Sequence, residues 1–248
     1  MIELIELEQY CNRLLNAADF EDYCPNGLQV DGGRASIQQI ATAVTASQAV
    51  IEAAAEAKAD LLLVHHGYFW RGEPSPLTGV KGRRIRALIN SATSLMAYHL
   101  PLDAHPELGN NRMLGDKLGC AKAAPLNKGL IWQGELAGEA PAAFADRITN
   151  VLGRKPLFIE GHERAIQRVG WCTGAAQSAI VEAAAAGLDA FVSGEVSEAT
   201  THLARELGIH YFAAGHHATE RYGVQALGQH LAEQFGLTHR FIDEINPV

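Results

Sequence analysis

The sequence predicts an α/β fold built from two similar halves, and three observations carry that reading. Apolar runs of strand length alternate with segments of helical period. The stretch Thr45–Asp60 is matched in order by Thr173–Asp189, with one inserted residue. Imidazole or carboxylate side chains follow the apolar strands in both halves.

Composition sets the bounds. Of 248 residues, 48% are hydrophobic and 19% charged, which allows a sizeable core and excludes disorder as the main state. The formal net charge of −8 argues against sequence-independent nucleic-acid binding, which needs a basic surface. It leaves room for a small anionic ligand held by a local basic cluster. The longest apolar runs, such as Leu61–Val64, are far shorter than the ~18 residues that span a bilayer. The opening MIELIE lacks the basic and apolar regions of a signal peptide. A cytoplasmic globular protein with no membrane partner is expected. Cys11, Cys24, Cys120 and Cys172 form no C-x-x-C pair, so neither a thiolate zinc site nor a disulfide framework is indicated.

The elements follow in order. Leu4, Leu7, Cys11, Leu14 and Leu15 recur every three to four residues, which reads as an amphipathic helix over Glu3–Ala18. Cys24–Gly27 (CPNG) is a turn. Ile40–Val44 is a short strand, and Ser47 caps an Ala-rich helix through Ala57. Asp60 opens an unbroken apolar run to Val64, as in a buried parallel strand. A helix near Lys81–Ala92 and a strand at Leu95–Tyr98 complete the first half. The middle, Pro106–Glu163, is less regular. It reads as a short helix at Arg112–Leu118, a strand at Leu130–Trp132 and a helix at Pro141–Leu152 with Pro in its first turn. The second half alternates again: strands at Val169–Cys172, Asp189–Ser193, Ile209–Ala214 and Arg240–Ile242, helices at Gln177–Ala186, Val196–Leu207 and Thr219–Phe235.

Gln48 precedes Asp60 by twelve positions, and Gln177 precedes Asp189 by twelve. Each Asp opens an apolar strand, one ending in His65-His66-Gly67 and the other in Ser193-Gly194-Glu195. A later strand in each half leads to a His with an acid four residues on: His99 with Asp103, and His216 with Glu220. The division expected is residues 1–105 as a first lobe, 106–163 as connecting material and 164–248 as a second lobe. A site where such lobes meet would collect ligands from each.

Ligands of open α/β sheets bind beyond the carboxyl ends of the strands. His65, His66, His99, Asp103, His216, His217 and Glu220 all lie at or just after predicted strand ends. Imidazole and carboxylate without thiolate is the donor set of a hydrolytic or Lewis-acid site for Zn²⁺, Mn²⁺ or Fe²⁺. If the last helix starts directly after Gly215, His216 and Glu220 face the same way, one turn apart. Tyr68-Phe69-Trp70 could stack on a flat heterocycle, or pack a loop or a subunit interface. The basic run Lys81–Arg86 could hold phosphates, or be a solvated helix face.

The strings VHHGYFW (64–70), HLPLDAHPELGNN (99–111), SGEVSE (193–198) and AGHHATE (214–220) together resemble the bacterial proteins named GTP cyclohydrolase I type 2 homologs, the Nif-three-like family. The resemblance covers essentially the whole chain. It implies a three-layer arrangement of helices on mostly parallel or mixed sheets, a dinuclear metal centre and a toroidal homohexamer with sites facing the inner cavity. The family's ligand pattern falls on His65, His66, Asp103, His216 and Glu220. Two divalent ions per chain (Zn, Mn or Fe) are the cofactors it implies.

Two functions follow. One is a metal-dependent hydrolase acting on a nucleotide-like heterocycle, GTP being the named case. Opening the imidazole ring needs hydroxide at C8 and a proton donor, with His99, Glu195 and His217 as candidates for proton transfer or support of the ligands. The other is a non-enzymatic hexameric ring that binds metal or a partner, in metal handling or regulation.

Overall fold

The computed structural model describes residues 1–127 and 129–248. In order, its strands and helices are β1 (Ile2–Glu3), α1 (Leu4–Leu14), β2 (Gly27–Val30), β3 (Ser36–Ile37), β4 (Gln39–Thr45), α2 (Gln48–Glu56), β5 (Leu61–His66), α3 (Gly79–Asn90), β6 (Ser94–Ala97), α4 (Leu100–Ala104) and α5 (Asn110–Lys117). There follow β7 (Ala121–Pro125), β8 (Trp132–Glu139), α6 (Pro141–Leu152), β9 (Leu157–Ile159), β10 (Ile166–Cys172), α7 (Ile180–Ala185), β11 (Ala190–Ser193), α8 (Glu198–Leu207), β12 (His210–Ala213), α9 (His216–Phe235) and β13 (Thr238–Phe241). Two compact units result: Met1–Gly109 with Gly223–Ile245, and Asn110–Tyr222 with Asn246–Val248.

The first unit holds a five-stranded sheet in the order β13-β4-β5-β6-β2. All neighbours are parallel except β2, which runs antiparallel on β6. Successive residues of a strand point to opposite faces, and β5 is buried on both. Leu61 and Leu63 join a cluster with Leu7 and Cys11 of α1 and Leu227 and Leu231 of α9. Leu62 and Val64 join Val50, Ile51 and Ala54 of α2 and Ile85 and Leu88 of α3. This is helix, sheet and helix in three layers. The Ser47 hydroxyl accepts from the Val50 N–H at 3.2 Å and caps α2, as expected.

The second unit holds a six-stranded mixed sheet in the order β7-β8-β10-β11-β12-β9. β10, β11 and β12 are parallel, while β8 and β9 run antiparallel on either side of them. Val192 faces a cluster with Leu114 of α5 and Phe144 and Ile148 of α6. Phe191 faces Ile180 and Ala183 of α7 and Ala204 of α8.

The internal repeat is structural. The path α1-β2-β4-α2-β5-α3-β6 recurs as α6-β9-β10-α7-β11-α8-β12, with β2 and β9 each antiparallel on the last strand of its set. The matched aspartates do the same work. Asp60 Oδ2 accepts from the N–H groups of Gln38 and Gln39 at 2.8 and 2.9 Å. Asp189 Oδ2 accepts from Gln167 and Arg168 at 3.0 and 2.9 Å. Each ties the start of one parallel strand to its neighbour.

The division differs from lobes at 1–105 and 164–248 joined by a connector at 106–163. β7, β8 and β9 lie in that middle stretch, and all three belong to the second sheet. β8 and β9 occupy edges of the parallel set whose N–H and C=O groups would otherwise lack partners. Conversely β13, at the end of the chain, pairs with β4 of the first unit. Among the described residues, no helix is long and apolar enough to cross a membrane.

Candidate metal centre

In the first unit the carboxyl ends of β5 and β6 lie side by side because the strands are parallel. β5 delivers His65 and His66, and the chain leaving β6 delivers His99 and, on α4, Asp103. The His65 and Asp103 side chains are buried. His65 Nδ1–H donates to the Tyr98 carbonyl at 2.9 Å, so in the neutral ring the lone pair is on Nε2. That nitrogen stands 3.5 Å from Asp103 Oδ1. His66 is half-buried, with Nδ1 3.2 Å from the Thr45 hydroxyl. An imidazole and a carboxylate facing each other form a donor set that suits a shared cation.

His99 is held at both its ring and its backbone. Its Nδ1–H donates to Asp22 Oδ1 at 2.7 Å, and its backbone N–H donates to Asn26 Oδ1 at 2.8 Å. Burial alone would raise the Asp22 carboxyl. Hydrogen bonds from His99 and Asn26 outweigh it and hold the pKa at about 2.

In the second unit the chain leaves β12 through Gly215, and α9 starts at once with His216. Gly215 has φ +101°, a backbone state that glycine adopts without strain. The helix start puts Glu220 one turn beyond His216, with Oε2 3.2 Å from Nε2. On the other side of the ring, Nδ1 lies 2.8 Å from Glu195 Oε1. Burial would depress the His216 pKa, but its bonds to Glu220 and Glu195 outweigh this and raise it to about 9. An ion held at Nε2 would take the place of a proton, with Glu195 left to hold Nδ1–H. Gly174, at φ +67°, completes the cradle: a Cβ there would lie 2.2 Å from Glu220 Oε1 and 3.2 Å from His216 Nε2. Its N–H donates to the Thr219 hydroxyl at 3.1 Å.

A family model described as Duf34/NIF3 (NGG1p interacting factor 3) matches residues 2–247. The chain belongs to this family. It is 54% identical over 250 residues to the GTP cyclohydrolase 1 type 2 homolog of Allochromatium vinosum, covering 100% of this chain and 98% of that one. Among solved structures, the structural-genomics protein ybgI superposes with a TM-score of 0.96 at 48% identity, over the whole of both chains. A protein from Thermus thermophilus does so with 0.92 at 34% identity, again over both whole chains.

In this NIF3-family chain the expected residues come from both units. His65, His66, His99 and Asp103 gather in the first; Glu195, His216, His217 and Glu220 lie in the second. Glu195 is bound to His216, and His217 follows it on α9, half-buried. His105 is a turn residue, its Nδ1 accepting from the N–H groups of Glu107 and Leu108. The aromatic run divides. Tyr68 is buried with its hydroxyl on the Ala46 carbonyl, whereas Trp70 lies 5.0 Å from His99 and 5.9 Å from His66, ring to ring. Lys81 bonds the Pro74 carbonyl and pairs with Glu73, and Arg83 and Arg86 are exposed on α3. No motif in the sequence points to Asp22, Asn26 or Gly174. The CPNG turn beside Asp22 is the one signal near the first two.

Proposed function

We propose that the chain is a divalent-metal-dependent hydrolase in which His65, His66, Asp103, His216 and Glu220 ligate two divalent ions. The substrate class is a nucleotide-like heterocycle, with opening of the GTP imidazole ring as the case to test. The observation that carries the reading is the His65 geometry: Nδ1–H tied to the Tyr98 carbonyl, and Nε2 facing the Asp103 carboxylate. The His216 pair with Glu220 and the name borne by relatives at about half identity support it.

Bound divalent ions would supply Lewis acidity and bring the pKa of a coordinated water towards ~7 in the best cases. The chain's own residues do the rest. Tyr98 and Glu195 fix the rings of His65 and His216 through their Nδ1 atoms. Gly174 leaves the space that the Glu220 carboxylate occupies. The side chains to be tested for proton transfer are His99, Glu195 and His217.

The test is formate release from GTP by the metal-loaded protein. Formate is expected from the wild type, and Glu220→Gln should lose more than the ~10–100-fold typical of changes behind the ligands. Release unchanged in Glu220→Gln would overturn the mechanism. No formate from the loaded wild type would remove GTP and favour another heterocycle or a non-enzymatic metal-binding role.

A further inference from the structure

We propose that Arg154, with Lys155 beside it, is a phosphate-binding subsite for the substrate; this rests on the nucleotide-like substrate proposed above. Gly153 ends α6 in the left-handed conformation at φ +72°, with its N–H on the Thr149 carbonyl. Arg154, half-buried, and Lys155, exposed, come next, ahead of the buried Pro156. β9 then runs antiparallel on β12, with Leu157 opposite Ala213. The residues that enter β9 therefore lie beyond the carboxyl end of β12, where the chain turns through Gly215 into α9. Strand pairing within the second unit is what brings Arg154 to Gly215.

The contact is close. A Cβ on Gly215 would lie 2.3 Å from Arg154 Nη1, 2.8 Å from Cδ and 2.9 Å from Cζ. The guanidinium fills the space that any side chain at position 215 would need, so glycine serves this approach as well as the positive φ. Nη1 is buried and has no hydrogen-bond partner among the described residues. Other arginines spend their charge within the protein: Arg34, Arg112 and Arg147 pair with Asp60, Asp116 and Glu139 at 2.7, 2.9 and 2.9 Å. A buried cationic donor without an acceptor is costly. A phosphate supplies the missing acceptors, because its oxygens match the planar fork of a guanidinium. The carboxylates of Glu195 and Glu220 are bound to the His216 ring, and Lys155 adds a second positive charge. The His217 N–H is taken by the Val248 carbonyl, so Arg154, and not the start of α9, supplies the donors.

The experiment is calorimetric titration of the full chain with GTP, pyrophosphate and guanosine, as purified and after chelator treatment, so that binding through an ion is told apart from binding through Arg154. It compares wild type, Arg154→Gln and Arg154→Lys, each checked for a cooperative melt and for assembly size. The wild type should bind pyrophosphate, and should bind GTP more tightly than guanosine. Arg154→Gln should weaken GTP and pyrophosphate by about 10–100-fold and leave guanosine unchanged. Arg154→Lys keeps the charge without the fork and should lose less. Equal affinity for GTP and pyrophosphate in wild type and Arg154→Gln would overturn the inference, as would a wild type that binds no pyrophosphate. A smaller assembly in Arg154→Gln with unchanged binding would also overturn it, by giving the guanidinium to a second copy of the chain. Phosphate binding that depends on Arg154, in a protein that releases no formate from GTP, would keep this subsite and remove only the GTP reaction.

Discussion

At His216 two carboxylates share one ring, Glu195 at Nδ1 and Glu220 at Nε2. Only Glu220 can remain beside an ion on Nε2. Glu195 then works through Nδ1–H, holding the ring in place and making it a stronger donor. Glu195→Gln should therefore lower metal affinity by ~10–100-fold while keeping the number of ions bound at saturation. Chelator competition on the purified variant checks this, and an affinity equal to wild type would show that Glu195 does not position the ring. His216 and Glu220 are legible in the sequence because helical spacing and the adjoining Gly215 are local facts. Asp22 is not, because its partner His99 lies 77 positions away and only the fold brings them together.

Among the elements, the aspartates that open β5 and β11 test the repeat. Asp60→Ala leaves the Gln38 and Gln39 N–H groups without their acceptor and removes the 2.7 Å pair with Arg34. A loss of about 1–3 kcal/mol is expected. Asp189→Ala removes the matching bonds, but its side chain is 20% exposed against 9% for Asp60. Water can replace part of what is lost there, so the smaller destabilisation is expected. Urea unfolding of both variants decides it; no loss from either would mean the matched bonds do not stabilise the strands. The central strands β5 and β11 are legible because they are buried on both faces and read as continuous apolar runs. The helix at Pro141–Leu152 is legible to the residue, between Pro at its first turn and Gly153 at φ +72°. β2, β7 and β9 are not legible. They are short edge strands: β2 and β7 have no continuous apolar run, β7 ends in Pro125, and the apolar run of β9 is only three residues long. The sequence places β8 too early, at Leu130–Trp132 instead of Trp132–Glu139. Its Gly134 and Gly138 break the strand pattern.

Taken whole, the molecule carries a feature sensitive to acid outside the proposed ligand set. His210 of β12 is buried, with the His162 ring 3.9 Å away. Burial lowers its pKa below the ordinary 6.5, and a charge on His162 would lower it further; the Arg164 carbonyl, Glu160 and Asp189 oppose them. The unfolded chain therefore binds this proton first as pH falls, so the stability His210 provides is complete above about 6.5 and is lost below it. The melting temperature should drop between pH 7 and 5, and less steeply in His210→Gln; equal slopes would assign the acid sensitivity to other groups. Metal content tests the central claim more directly than any melt. Protein stripped with chelator and reconstituted in turn with Zn²⁺, Mn²⁺ and Fe²⁺ should approach two ions per chain with at least one of them, as five ligands for a paired site require. Fewer than one ion per chain with all three metals would contradict the dinuclear centre.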